Sequence, residues 1–303
     1  MKYVLTMIGN KPQDKLSPDH VETARRALQG DGFAVSETDW LGADIAADIP
    51  FEGDDGSGFA SKLEAKLRLN FTGQIIDLVV QQAQGRLRKL LIADMDSTII
   101  QCECIDELAH FAGLQDKVAA ITEAAMRGEL DFAEALTERA AMLAGLPEEV
   151  LTTAYEERVR LTDGATTLVR TMRAKGAYTA LVSGGFTFFT DRVAAAVGFD
   201  INQANILLLE DGWLTGKVAQ PILGSAAKLA TLERLAEDRN IDLSQCLAVG
   251  DGANDIPMIQ AAGMGVAFHA KPKTADSARA RVDYGDLTAL LYIQGIRQSE
   301  FVE

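Results

Sequence analysis

Cysteine, histidine and basic side chains are all scarce in this 303-residue chain, and each shortage removes a class of function. The three cysteines, Cys102, Cys104 and Cys246, are too few for a disulfide framework, and an odd count suits a reducing compartment. Cys102 and Cys104 stand as C-x-C, which is not a usual zinc spacing, and no Cys or His partners follow nearby. They read as ordinary thiols beside a helix start. The histidines are His20, His110 and His269, read as surface or supporting residues, and neither Ser97 nor Ser183 stands in a G-x-S-x-G frame. That removes a serine-hydrolase triad. Lys and Arg number 29 against 44 Asp and Glu, giving a formal charge of −15 and a pI of about 4.7. Nucleic acids and anionic membrane surfaces require basic stripes and are excluded as partners. Taken at face value, the same sum disfavours any anionic substrate. No apolar run approaches the ~20 residues of a membrane span. The first ten residues hold one Lys and a short apolar run that meets Gly and Pro at once, unlike a signal peptide, so the expected location is the cytoplasm. Repeats and low-complexity tracts are also missing.

What is present is enough for a large core. Hydrophobic residues make up 48% of the chain and charged ones 24%, and the length suggests two domains or one with an insertion. The acid is uneven: residues 1–90 carry 11 basic and 13 acidic side chains, so nearly all the excess lies beyond them. Residues 1–84 read as a small α/β unit. A strand is expected over Tyr3–Ile8, a helix over Pro18–Leu28 with Ser17 as N-cap and Gly30 as stop, and a second strand over Phe33–Trp40. Ala47–Gly58 is acidic and Gly-rich and reads as a loop; Leu63–Phe71 is ambiguous, and Gln74–Gln84 looks helical. Gln81–Arg88 serves as a linker.

From residue 85 to 303 the pattern becomes regular. Short apolar runs at Lys89–Ala93, Tyr178–Val182, Cys246–Val249 and Gly265–Phe268 alternate with helical stretches at Ile105–Ala112, Thr162–Lys175, Thr187–Val197, Ser225–Asp238 and Ile256–Ala262. Buried strands alternating with helices imply βαβ units and a parallel sheet, whose ligands sit at the carboxyl ends of the strands. Residues 104–160 are too long for a simple crossover and read as nearly continuous helix broken at Gly113, Gly128 and Gly145, hence a helical cap inserted after the first core strand.

Polar residues cluster at those strand ends. Asp94-Met95-Asp96-Ser97-Thr98 puts two carboxylates at i and i+2 just past a buried strand, where they face the same way if the chain stays extended. Such crowding is costly unless a cation or a shared proton relieves it, and a hard divalent ion suits carboxylate oxygens. Gly250-Asp251-Gly252-Ala253-Asn254-Asp255 follows another strand and adds two acids on a tight turn. Ser183-Gly184-Gly185 offers a hydroxyl and unhindered N–H groups before a helix, a small anion cradle. Lys228 lies early in a helix. Each taken singly has a plainer reading as a capping turn, a Gly/Asp turn, a loop or a solvated charge; their order and common placement argue for one site.

These four elements together resemble the haloacid dehalogenase superfamily of phosphohydrolases. The resemblance implies a Rossmann-like core, dependence on Mg²⁺ and an aspartyl-phosphate intermediate. It assigns Asp94 as nucleophile and Asp96 as general acid and then base. Mg²⁺ would be held by Asp94, the backbone carbonyl of Asp96, Asp251 and Asp255. Ser183, Gly184 and Lys228 would bind the phosphoryl oxygens, with Asn254 orienting one of these groups. In the cap, Glu103, Met126-Arg127-Gly128-Glu129-Leu130-Asp131-Phe132 and Arg139 are similar to the phosphoserine phosphatase pattern. That pattern gives Glu103 the substrate ammonium, Arg139 its carboxylate, and Met126 and Phe132 the closing of the lid. It departs slightly at Ala135, where many relatives have Ser. The implied partner is a small molecule, O-phosphoserine, hydrolysed as the last step of serine biosynthesis; the alternatives are a phosphatase or phosphotransferase for another small phosphomonoester, or a silent amino-acid sensor. The N-terminal unit is matched more loosely, as ACT-like, with a sensing, dimerising or purely structural role open, and a homodimer as the assembly to expect.

Overall fold

The computed structural model describes residues 2–10, 15–54, 56–126 and 130–303, with the side chain of Met126 outside the description. The chain begins with β1 (Lys2–Gly9), α1 (Pro18–Gly30), β2 (Asp39–Gly42), β3 (Ala46–Glu52), α2 (Phe59–Arg68) and β4 (Ile76–Gln82). The four strands form an antiparallel sheet in the order β2-β3-β1-β4, a β-α-β-β-α-β unit of ferredoxin-like connectivity. Ser17 caps α1 as expected, its hydroxyl accepting the His20 N–H, and Pro18 occupies the first turn.

Three sequence expectations fail in this unit. Ala46–Glu52 is a strand, not part of a loop: its acid Asp48 is buried, accepting the Thr6 hydroxyl at 2.7 Å and pairing with Arg86 at 2.5 Å. Ile76–Gln82 is a strand, not a helix, paired with β1 along its length. Its Asp77 is polar inside a buried strand because it accepts the N–H groups of Asp283, Tyr284 and Gly285 from the core. The second strand lies at Asp39–Gly42 rather than Phe33–Trp40, where Val35 makes only an isolated bridge to Phe51. In the first two, tertiary partners satisfied groups that look unsuited to a sheet when read alone; in the third, alternating residues found no continuous partner strand.

After the linker come β5 (Leu90–Ala93) and the cap helices α3 (Cys104–Phe111), α4 (Gln115–Met126), α5 (Phe132–Ala141) and α6 (Glu149–Arg158). Then follow α7 (Ala165–Ala174), β6 (Tyr178–Phe186), α8 (Thr187–Val197), β7 (Ile201–Asn205), β8 (Leu207–Glu210), β9 (Trp213–Val218), α9 (Ser225–Asp238), β10 (Cys246–Gly250) and α10 (Ile256–Ala261). The chain closes with β11 (Met264–Phe268), α11 (Pro272–Ser277), β12 (Ala280–Val282) and α12 (Ala289–Ile293). Six strands make a parallel sheet in the order β12-β11-β10-β5-β6-β7. Every residue of β5 and β10 is buried, and each Leu, Ile or Val so removed from water contributes about 1.5–3 kcal/mol. From β5 the chain proceeds outward through β6 and β7 on one side, and β10 returns to its other side. The β5–β10 boundary is therefore the topological switch point, where a parallel sheet leaves a crevice at its carboxyl edge.

The β8–β9 hairpin was not anticipated from sequence. It props the cap: Gly145 N–H donates to the Leu214 carbonyl at 2.9 Å, and Leu214 N–H to that of Leu146 at 2.8 Å.

Candidate active site

Asp94 follows β5 directly, and its N–H still donates to the Val249 carbonyl of β10 at 3.0 Å, so the strand ladder fixes its backbone. The chain then makes one irregular helical turn, with Ser97 in the left-handed region at φ 54°. That reversal directs the Asp96 carboxylate back over the sheet edge. There it accepts the Cys104 N–H at 2.9 Å through Oδ1 and the Ser183 hydroxyl at 2.9 Å through Oδ2. The first bond is a helix N-terminus supporting a negative charge, and it ties Asp96 to the first cap helix.

Asp94, Asp251 and Asp255 are all buried, and one carboxylate oxygen of each lies within 4.8 Å of the others. A buried Lys228 is the cation among them, its Nζ 2.7 Å from Asp94 Oδ1 and 2.6 Å from Asp255 Oδ1. Burial works against the Lys228 charge, but Asp255 and Asp94 outweigh it and hold the ammonium above the ordinary lysine range. Burial pushes the Asp94 carboxyl well up, Asp255 adds to this, and Lys228 opposes it. The Asp251 carboxyl is pushed up to about 7 by burial and then by Asp255. Three acids against one lysine leave negative charge uncompensated in a dry place, and all the free donors are hard oxygens. The set fits a divalent cation of the Mg²⁺ type. The Asp96 carboxylate is not part of this triplet, being held by Cys104 and Ser183 instead.

Opposite the acids, Ser183 and the following glycines end β6. Gly185 N–H donates to Ser183 Oγ at 2.8 Å, and the Asn205 amide donates to the Gly184 carbonyl at 2.8 Å while also holding Leu223. The Gly184 conformation is thus clamped from behind. A side chain has no room there: a Cβ on Gly184 would lie 2.5 Å from the Phe132 ring, and one on Gly185 2.8 Å from Asp96 Oδ2.

A pocket opens between this edge and the cap, lined by Asp94, Asp96, Glu103, Phe132, Arg139, Gly184 and Asn254, with Ile105 and Leu136 as apolar wall. Glu103 receives the Ser97 hydroxyl at 2.6 Å, and its carboxyl is pushed well up by burial and by Asp96. Arg139 is buried, with Nε donating to the Ala135 carbonyl at 3.0 Å and Nη1 to Thr122 Oγ1 at 2.8 Å. It is therefore not an exposed helix charge, and no ion pair to Glu134 or Glu138 is found among the described residues. Thr122 in turn donates to Asp106 at 2.6 Å. Asn254 Oδ1 is buried without a hydrogen-bond partner among the described residues.

Of the residues singled out from sequence, Asp94, Asp96, Glu103, Phe132, Arg139, Gly184 and Asn254 line one pocket, with Ser183, Lys228, Asp251 and Asp255 directly behind it. Met126 ends α4, and its side chain, like residues 127–129 of the lid motif, lies outside the described residues. Sequence reasoning missed Thr122 and Asn205 and assigned no role to Lys271, which lies in a stretch that follows the family resemblance; the Lys271 N–H donates to the Asp251 carbonyl at 3.2 Å and its charge draws the Asp251 carboxyl down. Nothing in the local sequence of Thr122 and Asn205 marks them; all three act by supporting groups distant along the chain.

A sequence model of the haloacid dehalogenase-like hydrolases matches residues 91–260. A phosphoserine phosphatase of Streptomyces coelicolor is 46% identical over 228 residues, 75% of this chain and 55% of the relative. One of Haemophilus influenzae is 47% identical over 202 residues, 67% of this chain and 64% of the relative. The chain thus spans somewhat over half the length of these two relatives. The crystal structure of a HAD family hydrolase from Salmonella enterica serovar Typhi superposes with a TM-score of 0.81 at 31% identity, covering 96% of this chain and 98% of that one.

Proposed function

We infer that this chain, which belongs to the haloacid dehalogenase-like hydrolases, is a Mg²⁺-dependent phosphatase for O-phosphoserine. The observation that carries the reading is that one pocket holds both the Asp94–Asp96 pair and the Glu103–Arg139 pair. The first suits phosphoryl transfer. The second suits an amino acid: a carboxylate for its ammonium and a guanidinium fork for its carboxylate. The names of the relatives point the same way.

In this reading Asp94 attacks phosphorus in line, forming the bond from its carboxylate oxygen as the bond to the serine oxygen breaks. Asp96 gives its proton to the departing alkoxide, releasing serine, and then takes a proton from the water that attacks the aspartyl phosphate. Phosphate leaves, and Asp94 and the protonated Asp96 are restored. Lys228 fixes the Asp94 oxygen and balances its charge. The Ser183 hydroxyl and the Gly184 N–H bind the equatorial oxygens, where charge develops. Mg²⁺ held by Asp94, Asp251 and Asp255, with the Asp96 carbonyl, would neutralise the repulsion between these carboxylates and the phosphoryl oxygens. The cap, closed by Phe132 over Gly184, excludes water from all but the hydrolytic step.

The place of such an enzyme is the final, serine-releasing step of serine biosynthesis, in the cytoplasm. The described residues contain no helix long and apolar enough to cross a membrane. The test is steady-state phosphate release from phosphoserine, phosphothreonine and an aryl phosphate, with Mg²⁺ and with EDTA. Preference for phosphoserine and loss with EDTA are expected. Equal rates on all three would assign a generic phosphomonoesterase, and EDTA-resistant turnover would remove the metal.

A further inference from the structure

At the far end of the parallel sheet from Asp94 lies a second concavity, on the seam with the N-terminal unit. It is lined by Arg88, Ser244, Gln245 and Met264, at the amino ends of β5, β10 and β11, and by Gln81 of β4 and Arg279 just before β12. Arg88 stands six positions before Asp94, about 20 Å at the rise of an extended strand, so this groove is not an annex of the active site.

Its two arginines are incompletely used. Arg88 Nη1 donates to the Ser244 carbonyl at 2.5 Å, and Arg279 Nη2 to the Val80 carbonyl at 2.6 Å. Both bonds fix the guanidinium planes on neutral carbonyls. The Arg88 Nε and the Arg279 Nη1 are buried with no hydrogen-bond partner among the described residues. No carboxylate among those residues forms an ion pair with either arginine. Glu64, at which the Arg279 charge is felt, has one oxygen on the Arg68 guanidinium and the other on the Val80 N–H. Burial draws the Arg88 guanidinium below its ordinary range; the Cys246 thiol opposes this, and the neighbouring Arg279 charge adds to it. A buried donor without a partner costs about 1–3 kcal/mol, more when charged, and like charges side by side add to that. In a protein carrying −15 overall, two guanidiniums that line one groove without a carboxylate partner among the described residues are the reverse of the general field.

We propose that this groove is a second anion site, binding a small phosphate-type dianion between Arg88 and Arg279, beside the N-terminal sheet that Arg279 already holds through the Val80 carbonyl. A dianion balances both charges where a monocarboxylate balances one, and guanidinium forks match tetrahedral oxyanions bidentately. The bound anion would tie the residue that leads into β5 to the residue that leads into β12, the strand paired beside β11.

The test is equilibrium dialysis of the full chain with inorganic phosphate and Mg²⁺, alongside Arg88→Gln/Arg279→Gln. Wild type is expected to bind a second phosphate per chain that the double variant lacks, while phosphate inhibits turnover of both equally through the active site. A single phosphate on wild type overturns the proposal, as does a second one that survives in the variant. Should the glutamine pair fail to fold, Arg88→Lys/Arg279→Lys keeps the charge and loses the fork, and the second phosphate should bind about tenfold more weakly; unchanged affinity overturns the site. Acetate should not displace this phosphate at comparable concentration, and equal displacement would overturn the dianion assignment.

Discussion

Phe132, the first residue of a cap helix, rests its ring on Gly184, the residue after the Ser183 hydroxyl on the core. The contact is so close that a Cβ on Gly184 would meet the ring at 2.5 Å, while Gly224 supports it from another side, where a Cβ would lie at 3.2 Å. At this point cap and core meet through an aromatic edge and backbone without side chains, beside Ser183.

Gly184→Ala should hold the cap away from the core. We expect KM for phosphoserine to rise by about tenfold or more, with the fold retained by circular dichroism. In a Phe132→Ala background the same substitution should cost far less, because the partner it strikes is gone. A double-mutant cycle that is additive would show that this contact does not gate the site.

Arg139→Lys keeps the charge and loses the planar fork held by Thr122 and the Ala135 carbonyl. kcat/KM for phosphoserine should fall by about 10- to 100-fold, since each lost charge-assisted hydrogen bond is worth about 1.5–3 kcal/mol. An aryl phosphate, which has no carboxylate, should be turned over almost as before. A parallel fall on both substrates would mean that Arg139 only supports the cap.

Asp94→Asn should abolish phosphate release, by at least about a thousandfold, while the chain remains folded, because an amide cannot form the aspartyl phosphate on which the proposed mechanism rests. The rate is read by phosphate release and the fold by thermal melting. Residual turnover near wild type would move the nucleophile elsewhere.

Lys228→Met leaves Asp94 and Asp255 buried with no lysine between them. Removing one partner of a buried ion pair costs about 3–5 kcal/mol, and urea melts in EDTA should show a loss of that order. Added Mg²⁺ should return part of the stability by supplying positive charge to the same oxygens. If Mg²⁺ stabilises neither wild type nor variant, the three acids are not a metal site.

The metal-free protein should lose stability as pH rises. Burial and Asp255 push the Asp251 carboxyl up to about 7 in the fold, against about 3.9 for an unfolded aspartate. Between those values the folded state binds more protons than the unfolded one. The stability this provides is complete below about pH 4 and is lost as pH climbs through 7. Asp94 and Glu103, also pushed up, act with the same sign. Thermal melts in EDTA from pH 5 to 8 should therefore show a falling Tm, and saturating Mg²⁺ should flatten the slope. A Tm that climbs with pH in EDTA would contradict the burial of this cluster.

The charge of −15 shows where reading a composition misleads. It excludes polyanions, but the field a substrate meets is local. In the proposed complex Lys228, Arg139, the N–H groups beside Ser183 and a bound cation would face the phosphate, while many of the acids, among them Asp116, Glu134 and Glu149, lie on outer helices of the cap.

By itself the sequence determined the catalytic core: strands of unbroken apolar residues, each ending in a carboxylate, serine or glycine turn, can be buried in only one way, and that way carries the turns to one edge. Thr187–Val197 and Ser225–Asp238 are helices at the very residues their periodicity indicates. The tertiary structure alone decided the N-terminal unit and the supports of the site. Asp48 and Asp77 could be read as loop or helix residues until Arg86 and the N–H groups of residues 283–285 arrived to satisfy them. Arg139 could be a surface charge until Thr122, on a different helix, fixed its guanidinium inside the pocket. The physical reason is the same in each case. Apolar burial is written residue by residue and shows as a period, whereas a buried charge is tolerated only through a partner, and partners are brought together only by the fold.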